Sequence, residues 1–182
     1  MMAIDHPMKN LKVFCLLLIS FYASILMAEG AEPIQDLEMQ AEDFECIQNW
    51  DKVNNFFITN KLGCLERALE VANSTEGGGE YPVGTIIQLV PIEAMVKRAK
   101  GRGPQTNDWE FFFLGVDGQE TTVITRGAKE TMNRFGGNCF DCHSQAEPQW
   151  DMVCQEGRGC ESLPWLLMLN LSFFQSDSRC EE

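Results

Sequence analysis

Trp109-Glu-Phe-Phe-Phe-Leu-Gly-Val-Asp117-Gly118-Gln-Glu-Thr-Thr-Val-Ile-Thr125 is the stretch that decides the fold class. Trp109 to Leu114 is an aromatic run and Thr121 to Thr125 a β-branched one, both suited to a pleated surface. Asp117-Gly118 between them is a hairpin turn signal, so the two runs predict antiparallel strands. Upstream, Tyr81-Pro-Val-Gly-Thr-Ile-Ile-Gln-Leu-Val90 reads as another strand, led in by a proline turn. Pro91 bends or ends it, Ala94 to Arg98 continues the pattern, and Gly101-Arg-Gly-Pro104 is a loop. The middle of the chain is thus a small antiparallel sheet.

On the N-terminal side of that sheet the period changes. Leu37, Met39, Phe44, Ile47, Trp50, Val53, Phe56 and Phe57 recur mostly at three- and four-residue steps, and Leu65, Leu69 and Ala72 continue them after a break at Asn60-Lys-Leu-Gly63. The spacing predicts two or three helices over 35–72, ending in Asn73-Ser-Thr-Glu-Gly-Gly-Gly79. The fold class is α+β, with N-terminal helices packed on a small antiparallel β-sheet. Residues 127–144 read as mixed, mainly helical structure, and Trp165 to Phe174 as a packed final helix or a partner-docking surface.

The first 28 residues form a separate segment. Lys9 and Lys12 precede a 16-residue apolar run, Val13 to Ala28, and Glu29 follows at once. That order is the pattern of a cleaved secretory signal peptide, and the run is short of the roughly 20 residues that span a bilayer. An uncleaved anchor is the alternative. Cys15 has no lipobox around it. Residues 29–182 then form one domain with a core over about 40–165, in a periplasmic or secreted location. With 45% hydrophobic residues in 182, the chain can build a core. Loss of Lys9, Lys12 and Asp5 moves the formal charge from −13 to −14, which disfavours nucleic acid and anionic lipid and favours a basic protein partner. In an oxidising compartment cysteines pair by default. Spacing favours Cys46–Cys64 and Cys154–Cys160, leaving Cys180 free.

Asn138-Cys139-Phe-Asp-Cys142-His143 contains C-x-x-C-H, the attachment signature of a c-type haem. Two cysteines three positions apart on a helical turn bring both thiols to the vinyl groups of one porphyrin. The adjacent histidine is then held at the iron as proximal ligand. The expected cofactor is one covalent haem c, bound by Cys139 and Cys142, with His143 on the metal. A zinc site would want a further soft ligand pair nearby, a thioredoxin-like pair would follow a strand in a βαβ unit, and a local Cys139–Cys142 disulfide would be strained. None suits this context as well. Without residues 1–28, which hold His6, His143 is the single histidine, so a second imidazole from the same chain is excluded as sixth ligand. Met95, Met132 and Met152 are the methionine candidates. Trp109, Phe111, Phe113 and Phe135 could wall an open site, and Arg98, Arg126 and Arg134 could pair with the propionates.

With these residues in place, the sequence resembles the cytochrome P-460 and cytochrome c-prime-beta family. The resemblance runs over about 40–165, through Tyr81-Pro-Val-Gly84-Thr85, Asp108-Trp109-Glu-Phe-Phe-Phe113, the haem motif, Asp151-Met-Val153 and Leu163-Pro164. It implies a haem packed against an antiparallel sheet with helices around it, often in a homodimer. Cys139, Cys142 and His143 carry over as attachment and proximal residues. Members that oxidise hydroxylamine cross-link a strand lysine to the haem. Here that position falls near Leu89, and the nearest lysines, Lys97 and Lys100, come later. The departure counts against the cross-link and the oxidase activity, and leaves the gas-binding branch with its apolar distal pocket.

Three functions follow. The first is an exported mono-haem cytochrome that binds a small gas such as nitric oxide or transfers electrons to a redox partner. The second is a haem oxidoreductase acting on hydroxylamine, nitric oxide or peroxide, for which Glu93, Asp108, Glu110 and Glu120 lie near the sheet as acid–base candidates. The third is a disulfide-stabilised extracellular binding domain without haem.

Overall fold

A computed structural model describes residues 35–162 together with Leu166, Leu169 and 171–180. The proposed signal peptide, 1–28, lies outside the described residues. Among those described, no helix is long and apolar enough to cross a membrane.

Six strands make one antiparallel meander in sequence order: β1 (Asp51–Val53), β2 (Phe56–Asn60), β3 (Thr85–Val90), β4 (Glu93–Lys97), β5 (Trp109–Asp117) and β6 (Glu120–Arg126). The central and C-terminal strands lie where aromatic and β-branched composition puts them. Asp117 pairs with Glu120 across a two-residue turn, and Gly118 supplies the positive φ of 56° that the tight reversal needs. Gly84 leads into β3 at φ 84°, and a Cβ there would lie 2.6 Å from the Leu62 side chain.

The N-terminal helices are a correction. Residues 41–43 and 47–49 are single 3-10 turns, and β1 and β2 stand where helix was expected. The helix actually formed is α1 (Leu65–Asn73), which buries Ala68, Val71 and Ala72. The physical reason lies in β2. It is paired on both sides, by β1 and β3, and carries apolar residues toward both faces. A strand buried on both faces reads as a continuous apolar run that periodicity cannot distinguish from helix. The informative signal was Asn54-Asn55, the two-residue turn between Val53 and Phe56, where Asn54 has φ 52°.

The sheet separates two cores. On one face Ile58, Ile87, Met95 and Phe111 form a cross-strand row. With Val53, Phe56, Tyr81, Trp109 and the buried face of α1 they make the larger core. On the other face Ile86, Ala94, Val96, Phe112 and Leu114 are covered by Leu37, Met39, Phe44 and Trp50 of the N-terminal segment. Apolar residues every three or four positions there reflect an extended segment crossing a sheet, not a helix.

Among the described residues there are two disulfides, Cys46–Cys180 and Cys154–Cys160. The second matches its sequence expectation. The first replaces the expected Cys46–Cys64 bridge: Asp177, bonded to the Ile47 amide at 3.0 Å and to Arg179, seats the C-terminal tail against the Cys46 segment. Cys64 is an exposed thiol. Of the predicted final helix, Leu171–Phe174 is α3, with Leu171 buried and Phe173 exposed.

Candidate functional site

The cysteine motif forms α2 (Cys139–His143), little more than one turn, packed on the larger core. Its start is fixed locally. The Asn138 side chain accepts the Asp141 amide at 3.3 Å, while Cys139 donates its own amide to Thr131 O at 3.1 Å. These bonds cap a helix too short to persist alone. Cys139 and His143, four positions apart, share the inward side of the turn, whereas the Cys142 thiol is exposed. Both motif thiols are free, so the local disulfide is not formed. Burial pushes the Cys139 thiol up to about 12, and the nearby Glu93 and Cys142 charges add to the rise.

His143 is half-buried with its ring 5.2 Å from that of Phe111. Its Nδ1 lies 2.7 Å from Met152 O. A carbonyl can only accept, so Nδ1 carries the hydrogen and Nε2 keeps its lone pair. Burial lowers the imidazole pKa, partly offset by the Met152 carbonyl, so the neutral, ligating form is favoured.

Met152 holds that carbonyl in an unusual backbone. Asp151 and Met152 are consecutive non-glycine residues at φ 47° and 63°. Left-handed conformations cost on the order of 1–3 kcal/mol each and persist only when their surroundings fix them. Asp151 is fixed at four points. Lys97 Nζ donates to its Oδ1 and Oδ2 at 2.9 and 2.8 Å, the Tyr81 amide to Oδ2 at 2.9 Å, and Trp109 Nε1 to its carbonyl at 2.7 Å. Lys97 is 1% exposed and also donates to Asn107 O at 2.7 Å. It is therefore engaged with Asp151 rather than available for a covalent link.

The remaining candidates separate by face. Met95 is buried in the row beneath α2, Met132 is exposed, and Met152 contributes its carbonyl. Trp109 and Phe111 are buried on the same face, with Phe113 and Phe135 half-buried. Arg98 and Arg126 do not join them. Arg98 is bound to Asp36, Glu38 and Glu110, and Arg126 pairs with Glu110 and stacks on Phe112, on the opposite side of the sheet. Arg134 lies over the Phe174 ring, 4.1 Å from its centroid. Among the acids, Glu110 belongs to that opposite network, Asp108 accepts the Gly101 and Gly103 amides, and Glu120 is exposed at the hairpin. Glu93 alone is beside the motif. It pairs with Phe113 across the β4–β5 ladder and accepts the Arg134 amide at 2.5 Å, and burial raises its pKa.

Sequence reasoning found the motif because its three residues fall within five consecutive positions. It did not find the Lys97–Trp109–Asp151 grip, whose only trace was the Asp151-Met-Val153 piece. The donor set fits a c-type haem: two reduced thiols and one imidazole with Nε2 bare and Nδ1 tied to a carbonyl. No known protein family, curated protein or solved structure matches this chain.

Proposed function

We propose that the chain is an exported mono-haem c-type cytochrome of the cytochrome P-460 and c-prime-beta kind, which binds a small gas such as nitric oxide or transfers electrons. The observation that carries this reading is the 2.7 Å contact of His143 Nδ1 with Met152 O beside two unpaired thiols. Each thiol would add across one vinyl group, its sulfur bonding one carbon and its hydrogen going to the other, with no external oxidant. Cys139 and Cys142 would hold the ring, and His143 Nε2 would bind the iron. Haem would supply the ligand-binding and redox chemistry. The buried row Ile87, Met95 and Phe111, in the same core as Cys139, supports an apolar surrounding for the group, the kind that favours an uncharged ligand. Two disulfides accord with an oxidising compartment. The acidic surface favours a basic redox partner.

The oxidoreductase reading has one observation in its favour, the half-buried Glu93 beside Cys139 as a proton acceptor. Against it stand the lack of a lysine near Leu89, where the resemblance puts the cross-link, and Lys97 held by Asp151. Expression with a c-haem maturation system and mass measurement tests the whole account: the secreted chain should weigh its polypeptide plus one haem. A ferrous spectrum that shifts with nitric oxide supports gas binding, a low-spin methionine-ligated spectrum supports electron transfer, and turnover of hydroxylamine would establish the oxidoreductase instead. A bare polypeptide mass from cells that mature other c-type cytochromes would leave the haem-free binding domain.

A further inference from the structure

We infer that Asp151, gripped by Lys97, Trp109 and the Tyr81 amide, is the positioning residue that aims the Met152 carbonyl at His143 and thereby sets the strength of the imidazole as an iron ligand. The inference rests on the proposed haem reading and goes beyond it by naming what tunes the centre.

The chain of contacts is continuous. Lys97 ends β4 and Trp109, its cross-strand partner, begins β5, so the rigid ladder presents an ammonium and an indole N–H side by side. Both converge on Asp151, one on its carboxylate and the other on its carbonyl. The Tyr81 amide adds a third element to the grip. This holds Asp151 and Met152 in two successive left-handed conformations, which point the next carbonyl at Nδ1. An imidazole whose Nδ1–H is shared with a well-placed acceptor is a stronger donor at Nε2. Loosening the grip should therefore weaken the bond to iron without removing any ligand.

Lys97→Met would strand a buried carboxylate and is expected to unfold the chain, so it cannot test this. Trp109→Phe keeps a ring in place and removes one bond of the grip without stranding a charge. Asp151→Asn keeps a side-chain oxygen that accepts from Lys97, whose ammonium also holds Asn107 O at 2.7 Å and lies 3.4 Å from Glu80. Ile58→Val trims the same core without touching Asp151 and serves as the packing control. In the full, matured chain, both test variants should retain haem by mass. Their ferrous iron–histidine stretch should move to lower frequency and their midpoint potential should rise, while Ile58→Val moves neither. A haem-free readout runs in parallel on Cys139→Ala/Cys142→Ala chains. There, 15N shifts should report a single Nδ1–H tautomer of His143, and adding Trp109→Phe or Asp151→Asn should mix the tautomers.

Loaded variants with unchanged stretch and potential, or haem-free variants with an unmixed tautomer, overturn the inference. A wild-type chain that takes no haem yet loses its single tautomer in the variants would sink the cytochrome reading while leaving the positioning device intact.

Discussion

Lys97 and Asp151 bury opposite charges at 1% and 5% side-chain exposure, 2.8 Å apart. Removing one partner strands the other, a change that typically costs about 3–5 kcal/mol. Lys97→Ala should therefore lower the urea midpoint by far more than Lys61→Ala, whose pair with Glu45 is partly exposed. Glu93 offers a prediction in pH. Burial raises its pKa above the usual 4.5, against the Arg134 amide and charge. A carboxyl raised on folding stabilises the native state fully below its unfolded pKa, and that contribution is lost as pH rises through the folded value. Stability of the wild type relative to Glu93→Gln should thus fall between about pH 4 and the raised value, then level off. A flat difference would show that Glu93 titrates as if in water. The residues so paired differ in how readable they were. Cys139, Cys142 and His143 occupy one short pattern, whereas Lys97 and Asp151 are 54 positions apart and only the folded ladder brings them together.

The β3–β6 strands were legible because each is a compact run of β-branched or aromatic residues with a turn signal beside it. β1 and β2 were not, since Phe56-Phe57-Ile58 is apolar toward both faces and Asn54-Asn55 was the only mark of a reversal. The disulfides show the same limit. Cys154–Cys160 closes a loop of six positions, a local event, while Cys46–Cys180 spans 134 and depends on where the tail docks. Loop-closure entropy predicts unequal consequences, roughly 5 kcal/mol for the long bridge and about 2 kcal/mol for the short one. Cys46→Ser/Cys180→Ser should accordingly lose more stability to urea than Cys154→Ser/Cys160→Ser. The reverse order would mean that the tail stays docked through Asp177, Arg179 and Gln175 even in the reduced chain.

At the scale of the molecule, the sheet and the motif share one set of thiols, and the proposed haem would change how many of them react. Residues 35–180 hold three that are unpaired: Cys64 and Cys142 exposed, Cys139 buried. Only the thiolate alkylates, and the Cys139 thiol, pushed up to about 12, supplies almost none at neutral pH. In native haem-free protein, Cys64 and Cys142 should label quickly and Cys139 only once the larger core opens. The same burial bears on maturation. A thiol buried on the inward side of α2 meets a vinyl group most readily before the helix packs on the larger core, so haem addition should precede final packing. Chains loaded early should then show one labelling thiol, Cys64, even in denaturant, whereas haem offered to the folded, haem-free chain should attach slowly or at Cys142 alone. Finding all three thiols alkylated in unfolded, correctly matured protein would mean that no thioether had formed. Rapid labelling of Cys139 in the folded chain would instead show that α2 opens freely, and with it the larger core on which the site is built.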